Sequence, residues 1–129
     1  MNYAVSDYLD TITRELQKRA TTYPKIIAKK IKQGVDQDNI NTIIHQQTIQ
    51  VSRLEWIKTV IREIDTLDNQ SALCYMEELN RELKMRKKYY PRLIYFKRIT
   101  PEVALYEIEA WAALTNFFYE KYLKSCSPS

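Results

Sequence analysis

Residues 8–27, YLDTITRELQKRATTYPKII, and residues 75–94, YMEELNRELKMRKKYYPRLI, align without a gap at an offset of 67. Tyr8/Tyr75, Arg14/Arg81, Glu15/Glu82, Leu16/Leu83, Arg19/Arg86, Tyr23/Tyr90, Pro24/Pro91 and Ile27/Ile94 are identical, and Leu9/Met76, Asp10/Glu77, Ile12/Leu79 and Lys25/Arg92 are conservative replacements. Unrelated segments of this length share only about one or two identities, so the alignment is read as a tandem duplication. The copies continue past the proline with one length change. Dropping three residues places Val35 on Ile99, Asp36 on Thr100, Ile40 on Ala104 and Ile44 on Ile108. Asp36 and Thr100 are both good N-cap residues and Pro101 suits a first helical turn, so each repeat reads as helix, short turn, helix.

The first helix of each copy carries a stripe at helical spacing. Tyr8, Ile12, Leu16, Arg19 and Tyr23 form it in one copy, and Tyr75, Leu79, Leu83, Arg86 and Tyr90 in the other. The stripe stays in phase beyond Pro24 to Ile27 and Ile31, and beyond Pro91 to Ile94, which predicts a helix kinked at each Tyr-Pro and reaching about Gln33 and Lys97. Gly34 supplies a left-handed turn after the first, while Arg98 occupies the corresponding place in the second, whose turn is therefore expected to close differently. Ile40, Ile44, Val51, Leu54, Ile57, Ile61 and Ile64 mark a long second helix with Trp56 beside its stripe; Ala104, Ile108, Trp111, Leu114, Phe118 and Tyr122 mark the fourth. The joint falls at Asp68–Ser71. One glycine and four prolines leave few of the turns that sheets need. The expected fold is therefore all-α: two tandem-duplicated antiparallel hairpins in a four-helix bundle with pseudo-twofold symmetry.

The chain of 129 residues is expected to form one domain, with repeat 1 over about 3–67, repeat 2 over about 71–124, and a flexible tail at 125–129. Cys74 and Cys126 are too few for a disulfide framework. With no charged-then-apolar leader and no apolar run of membrane-span length, a soluble, reducing, intracellular setting is expected.

Arg19 and Arg86 interrupt stripes that are otherwise apolar or aromatic, each four residues after a glutamate, Glu15 and Glu82. An ordinary reading is a surface i,i+4 ion pair with the arginine stem against the core edge. A sharper one is a partly buried guanidinium that fixes the hairpin register or offers a fork to a ligand. Lys at position 86 separates the two, because a surface pair tolerates it and a bidentate contact does not. Arg19, Tyr23, Pro24, Tyr90, Pro91 and Trp111 are read as structural.

Charge follows the duplication. Segment 14–33 sums to +6 and segment 81–98 to +7, so with a chain total of +4 the remainder carries −9 (4 − 13). Basic residues interleaved with Tyr89, Tyr95 and Phe96 have the chemistry of a nucleic-acid surface: cations neutralise phosphates and exposed rings stack on unpaired bases. Tyr90 belongs to the stripe, Phe96 is a core candidate, and Glu102, Glu107 and Glu109 are placed to neutralise the basic helix within a hairpin. The candidate contact residues are Lys84, Arg86, Lys87, Lys88, Tyr89, Arg92, Tyr95, Lys97 and Arg98, with Lys25, Lys29 and Lys30 from the first copy.

No catalytic reading emerges. His45 lies among Gln46, Gln47 and Thr48 with no metal-ligand spacing around it, and no Gly-rich phosphate loop or nucleophile elbow occurs. Glu77/Glu78 and Glu107/Glu109 read as exposed helix positions. No enzyme activity, metal or cofactor is expected.

The run RELKMRKKYYPRLIYFKRITPEVALYEIEAWAAL resembles a motif of short tailed-phage and prophage proteins. In that motif a Met-Arg helix leads through Val-Tyr-Pro-Arg and a Gly-Arg-Leu-Thr turn into a second helix. Leu83, Met85, Arg86, Tyr90, Pro91, Arg92, Thr100, Ala104, Glu107 and Ile108 match it. In the first copy Lys18 replaces the Met and Lys25 the Arg, and Lys97 stands where the motif has Gly. The resemblance implies a phage or integrated element acting in a bacterial cytoplasm and a small accessory protein that works by binding. Its partner would be nucleic acid, or a host nucleic-acid-processing complex inhibited as by an anti-CRISPR protein; a homo-oligomeric scaffold is the third expectation.

Overall fold

The computed structural model describes residues 3–124, and among them four helices and no strand: α1 (Val5–Lys32), α2 (Gln37–Glu63), α3 (Asn69–Tyr95) and α4 (Pro101–Tyr122). The tail at 125–129, with Cys126, lies outside the described residues. α1 packs along α2 and α3 along α4, with thinner contacts between α2 and α3 and between α1 and α4. Two antiparallel hairpins thus form the bundle, joined by residues 64–68.

Three of the four helices, α2, α3 and α4, begin at a side-chain cap. The Asp36 carboxylate accepts from the Asn39 amide at 2.9 Å, Asp68 from the Ser71 amide at 2.9 Å, and the Thr100 hydroxyl from the Val103 amide at 3.1 Å. These contacts satisfy backbone donors that have no partner inside the helix. α1 and α3 run through Pro24 and Pro91 without interruption and end at Lys32 and Tyr95, one and two residues short of the expected Gln33 and Lys97.

The two hairpin turns close in the same way, contrary to the expectation that the second must differ. In the first, Gly34 N–H donates to Ile31 and Val35 N–H to Lys30; in the second, Lys97 N–H donates to Ile94 and Arg98 N–H to Leu93. Both are Schellman closures. The left-handed residue is Gly34 (φ 79°) in one and Lys97 (φ 57°) in the other, so Lys97 and not Arg98 is the structural equivalent of Gly34. Left-handed backbone costs a non-glycine residue about 1–2 kcal/mol. Lys97→Gly is therefore expected to raise stability by about 1 kcal/mol, read as a higher urea midpoint with unchanged slope.

The core lies toward the 64–68 joint. Ile12, Leu54, Ile57, Val60, Ile61, Leu79, Trp111, Leu114 and Phe118 are all buried there, and the repeat-equivalent pair Ile12 and Leu79 both belong to it. Burying each aliphatic side chain contributes about 1.5–3 kcal/mol. Tyr122 adds a polar clasp, its hydroxyl donating to the Val60 carbonyl at 3.0 Å and the Ile64 carbonyl at 2.7 Å. Toward the turns the stripe stops being buried. Ile31, Ile44 and Phe96 are exposed, against the expectation that the first two continue the packed seam and that Phe96 is a core candidate. A hairpin tip offers each helix one partner only, so a residue off that single seam meets water.

Candidate functional site

Where α1 and α3 meet, the four residues singled out by the duplication form one closed network. Glu15 accepts from Arg19 Nε at 2.8 Å on its own helix and from Arg86 Nη2 at 2.5 Å on the other copy. Glu82 accepts from Arg86 Nη1 at 2.7 Å on its own helix and from Arg19 Nη2 across the pair. Each carboxylate therefore bridges both arginines, and each arginine bridges both carboxylates. Arg19 and Arg86 are only 6 % and 7 % exposed. The Arg86 guanidinium also lies 3.9 Å from the Trp111 ring centroid, and Arg19 lies 5.7 Å from that of Tyr23.

Electrostatics within this tetrad favour the charged forms of Glu82 and Arg19. Burial opposes the charge on Glu82, but the Arg19 charge and the hydrogen bonds from Arg19 and Arg86 outweigh it and hold the carboxyl below the usual range. Burial likewise opposes the charge on Arg19, and Glu82 and Glu15 more than restore it.

The network extends asymmetrically. Arg81 donates to Glu82 at 2.8 Å and to both oxygens of Glu78, at 2.7 and 3.1 Å, while Arg53 of α2 stands 3.6 Å from Glu78. Glu78 is 1 % exposed, which corrects its reading as a solvated helix position. Its glutamate at i−3 from Arg81 was the available signal; the approach of Arg53 was not visible without the fold. The equivalent of Arg81, Arg14, instead pairs with Glu107 of the other hairpin at 3.1 Å. Glu107 therefore neutralises across hairpins rather than within one.

Arg86 is accordingly withdrawn from the contact surface: it is buried, and its two terminal nitrogens donate to Glu15, Glu82 and the Glu82 carbonyl. The remaining expected contact residues, Lys84, Lys87, Lys88, Tyr89, Arg92, Tyr95, Lys97, Arg98, Lys25 and Lys29, are exposed, and Lys30 is half-buried. Among the described residues none of their cations pairs with a carboxylate. Tyr95, 79 % exposed, meets Phe96 edge-on at 5.1 Å beside the second turn. Lys25, Lys29 and Lys30 approach one turn, and Arg92, Lys97 and Arg98 the other. The two turns end α1 and α3, each about 40 Å long.

A cleft of about 230 Å³ opens over the tetrad, walled by Lys18 and Tyr23 of α1, Gln50 of α2, and Met85, Tyr89 and Tyr90 of α3. Tyr23 donates its hydroxyl to Gln50 Oε1 at 3.1 Å. Sequence reading alone did not associate Gln50 or Lys18 with Tyr89, because they come together only when the hairpins cross. Among the described residues no group of His, Cys, Asp and Glu is placed to hold a metal ion, and no helix is long and apolar enough to cross a membrane. Comparison with protein-family models, curated proteins and solved structures gave no match to this chain.

Proposed function

We propose that this chain is a non-enzymatic accessory protein of phage or prophage type that binds nucleic acid through the basic outer parts of its two hairpins. The observation that carries the reading is the separation of charge along the fold. Residues 24–50 and 84–104 hold eleven Lys and Arg against Asp36, Asp38 and Glu102, whereas the rest of the chain holds nine against thirteen acidic residues. Only Arg86 of the eleven is buried. Unpaired cations beside the exposed rings of Tyr89, Tyr95 and Phe96 suit a phosphate backbone and its bases.

Fluorescence anisotropy with labelled single- and double-stranded oligonucleotides tests this. Five phosphate contacts would give a log–log salt slope of about −3.5 on single strands and about −4.5 on duplex. Replacing Lys84, Lys87 and Lys88 together by Ala is expected to make the single-strand slope about 2 shallower. A chain that binds no DNA or RNA at low salt would sink the proposal.

A further inference from the structure

We infer that the cleft over the Arg–Glu tetrad receives an unpaired nucleobase, so that the preferred ligand is a single strand. This rests on the nucleic-acid reading above and deepens it. The volume, about 230 Å³, falls below the roughly 300–1,000 Å³ of sites that take drug-sized ligands, and suits one flat ring system. Its walls suit the faces of such a ring. Tyr89 and Met85, 42 % and 41 % exposed, stand at the rim, and the more buried Tyr23 and Tyr90 line the interior.

Hydrogen-bonding capacity in the cleft is one-sided. The carboxylates of Glu15 and Glu82 already accept from both tetrad arginines. On the donor side, Gln50 uses its oxygen to accept from Tyr23 and keeps its amide nitrogen unpaired, while the unpartnered Arg19 Nη1 and Arg86 Nε are closed off from the cleft surface. A free amide donor beside carboxylates already engaged by arginines favours a ligand edge that carries carbonyl oxygens. Thymine and uracil offer two such oxygens, O2 and O4, flanking N3 on the Watson–Crick edge. A base already paired in a duplex cannot present its Watson–Crick edge in this way, which is why a single strand is favoured. Cations stand where the adjoining phosphates would run: Lys18 at the cleft, and Lys88 with its ammonium 5.4 Å from the Tyr89 ring centroid.

The test uses the full chain, a dT decamer, the matching duplex and a decamer carrying one 5-iodouracil. Tyr89→Ala is expected to weaken single-strand binding at least about five-fold, leaving duplex affinity and the salt slope unchanged, with Tyr89→Phe close to the unaltered chain. Photocrosslinks are expected on Tyr23, Tyr89 or Tyr90. An equal loss on single strand and duplex, no loss at all, or crosslinks confined to Tyr95 and Phe96 would overturn the cleft assignment and leave the basic hairpin surface standing. Failure of the unaltered chain to bind either oligonucleotide would overturn both.

Discussion

Arg86→Ala is expected to destabilise the folded chain by about 3–5 kcal/mol, because removing one member of a buried ion pair leaves its partner charged and uncompensated. Two carboxylates lose a partner here, Glu82 at 2.7 Å and Glu15 at 2.5 Å, and the Trp111 ring loses its cation. With domain stabilities of about 5–15 kcal/mol, such a loss brings the chain close to unfolding at ambient temperature. Arg86→Lys restores the charge but not a planar fork that reaches two carboxylates at once, and is expected to cost about 1–3 kcal/mol. Urea denaturation followed by circular dichroism measures both. If the Lys variant unfolds within about 0.5 kcal/mol of the unaltered chain, which is the range of ordinary surface changes, the tetrad is not a structural clamp.

The same network sets a pH dependence. Glu82 ionises more readily in the folded state than in the unfolded chain. Its contribution to stability is therefore complete above the unfolded carboxyl value of about 4.3 and is lost as pH falls through the lower folded value. Glu82→Gln removes this part of the acid response and should flatten the stability curve below about pH 4.3. An unchanged acid limb in the Gln variant would assign the response to other carboxylates.

Trp111→Ala is expected to cost about 3–5 kcal/mol, the range for deleting a large aromatic side chain from a packed core. Trp111 has no exposed surface and carries two loads: it joins the cluster of Leu54, Leu79, Leu114 and Phe118, and it is the platform beneath Arg86. Trp111→Phe should lose less than half as much, since the indole N–H it removes has no hydrogen-bond partner. The two loads separate in a double-mutant cycle. Residues in contact couple by about 0.5–3 kcal/mol, so Arg86→Ala combined with Trp111→Phe should fall short of the summed single losses by an amount in that range. Simple additivity would show that the ring and the guanidinium act independently.

Features carried by neighbours in sequence were legible before any fold was known. The four helices and the caps Asp36 and Thr100 depend on spacings of a few residues, and they lie where the spacing puts them. The i,i+4 halves of the tetrad were legible for the same reason. Its cross-copy halves were not, because Glu15–Arg86 and Arg19–Glu82 link residues 71 and 63 apart, and helical periodicity says nothing about which helices meet. Glu78 was misread since its burial depends on Arg53 from α2. Ile31 and Ile44 were overvalued, as a stripe continues in sequence past the point where a second hairpin is there to cover it. The left-handed role of Lys97 was not assigned, although the resembling motif has Gly there, because the repeat alignment set Arg98 opposite Gly34.

The pairing of Glu15 with Arg86 and of Glu82 with Arg19 has the form of an isologous interface, where residue i of one subunit meets j of the other and j meets i. A single ancestral hairpin carrying Glu and Arg four apart would hold everything needed to dimerise with itself. Joining two such hairpins through a joint as short as 64–68 would replace that bimolecular equilibrium with an effective local concentration in the millimolar range, independent of how much protein is made. Fusion also breaks a genetic constraint. In a homodimer every substitution appears on both sides of the axis, whereas here Thr11 and its repeat equivalent Glu78 are both buried yet chemically unlike. The tetrad preserves the old symmetry at the axis, and the fused chain is free to evolve two different faces around it.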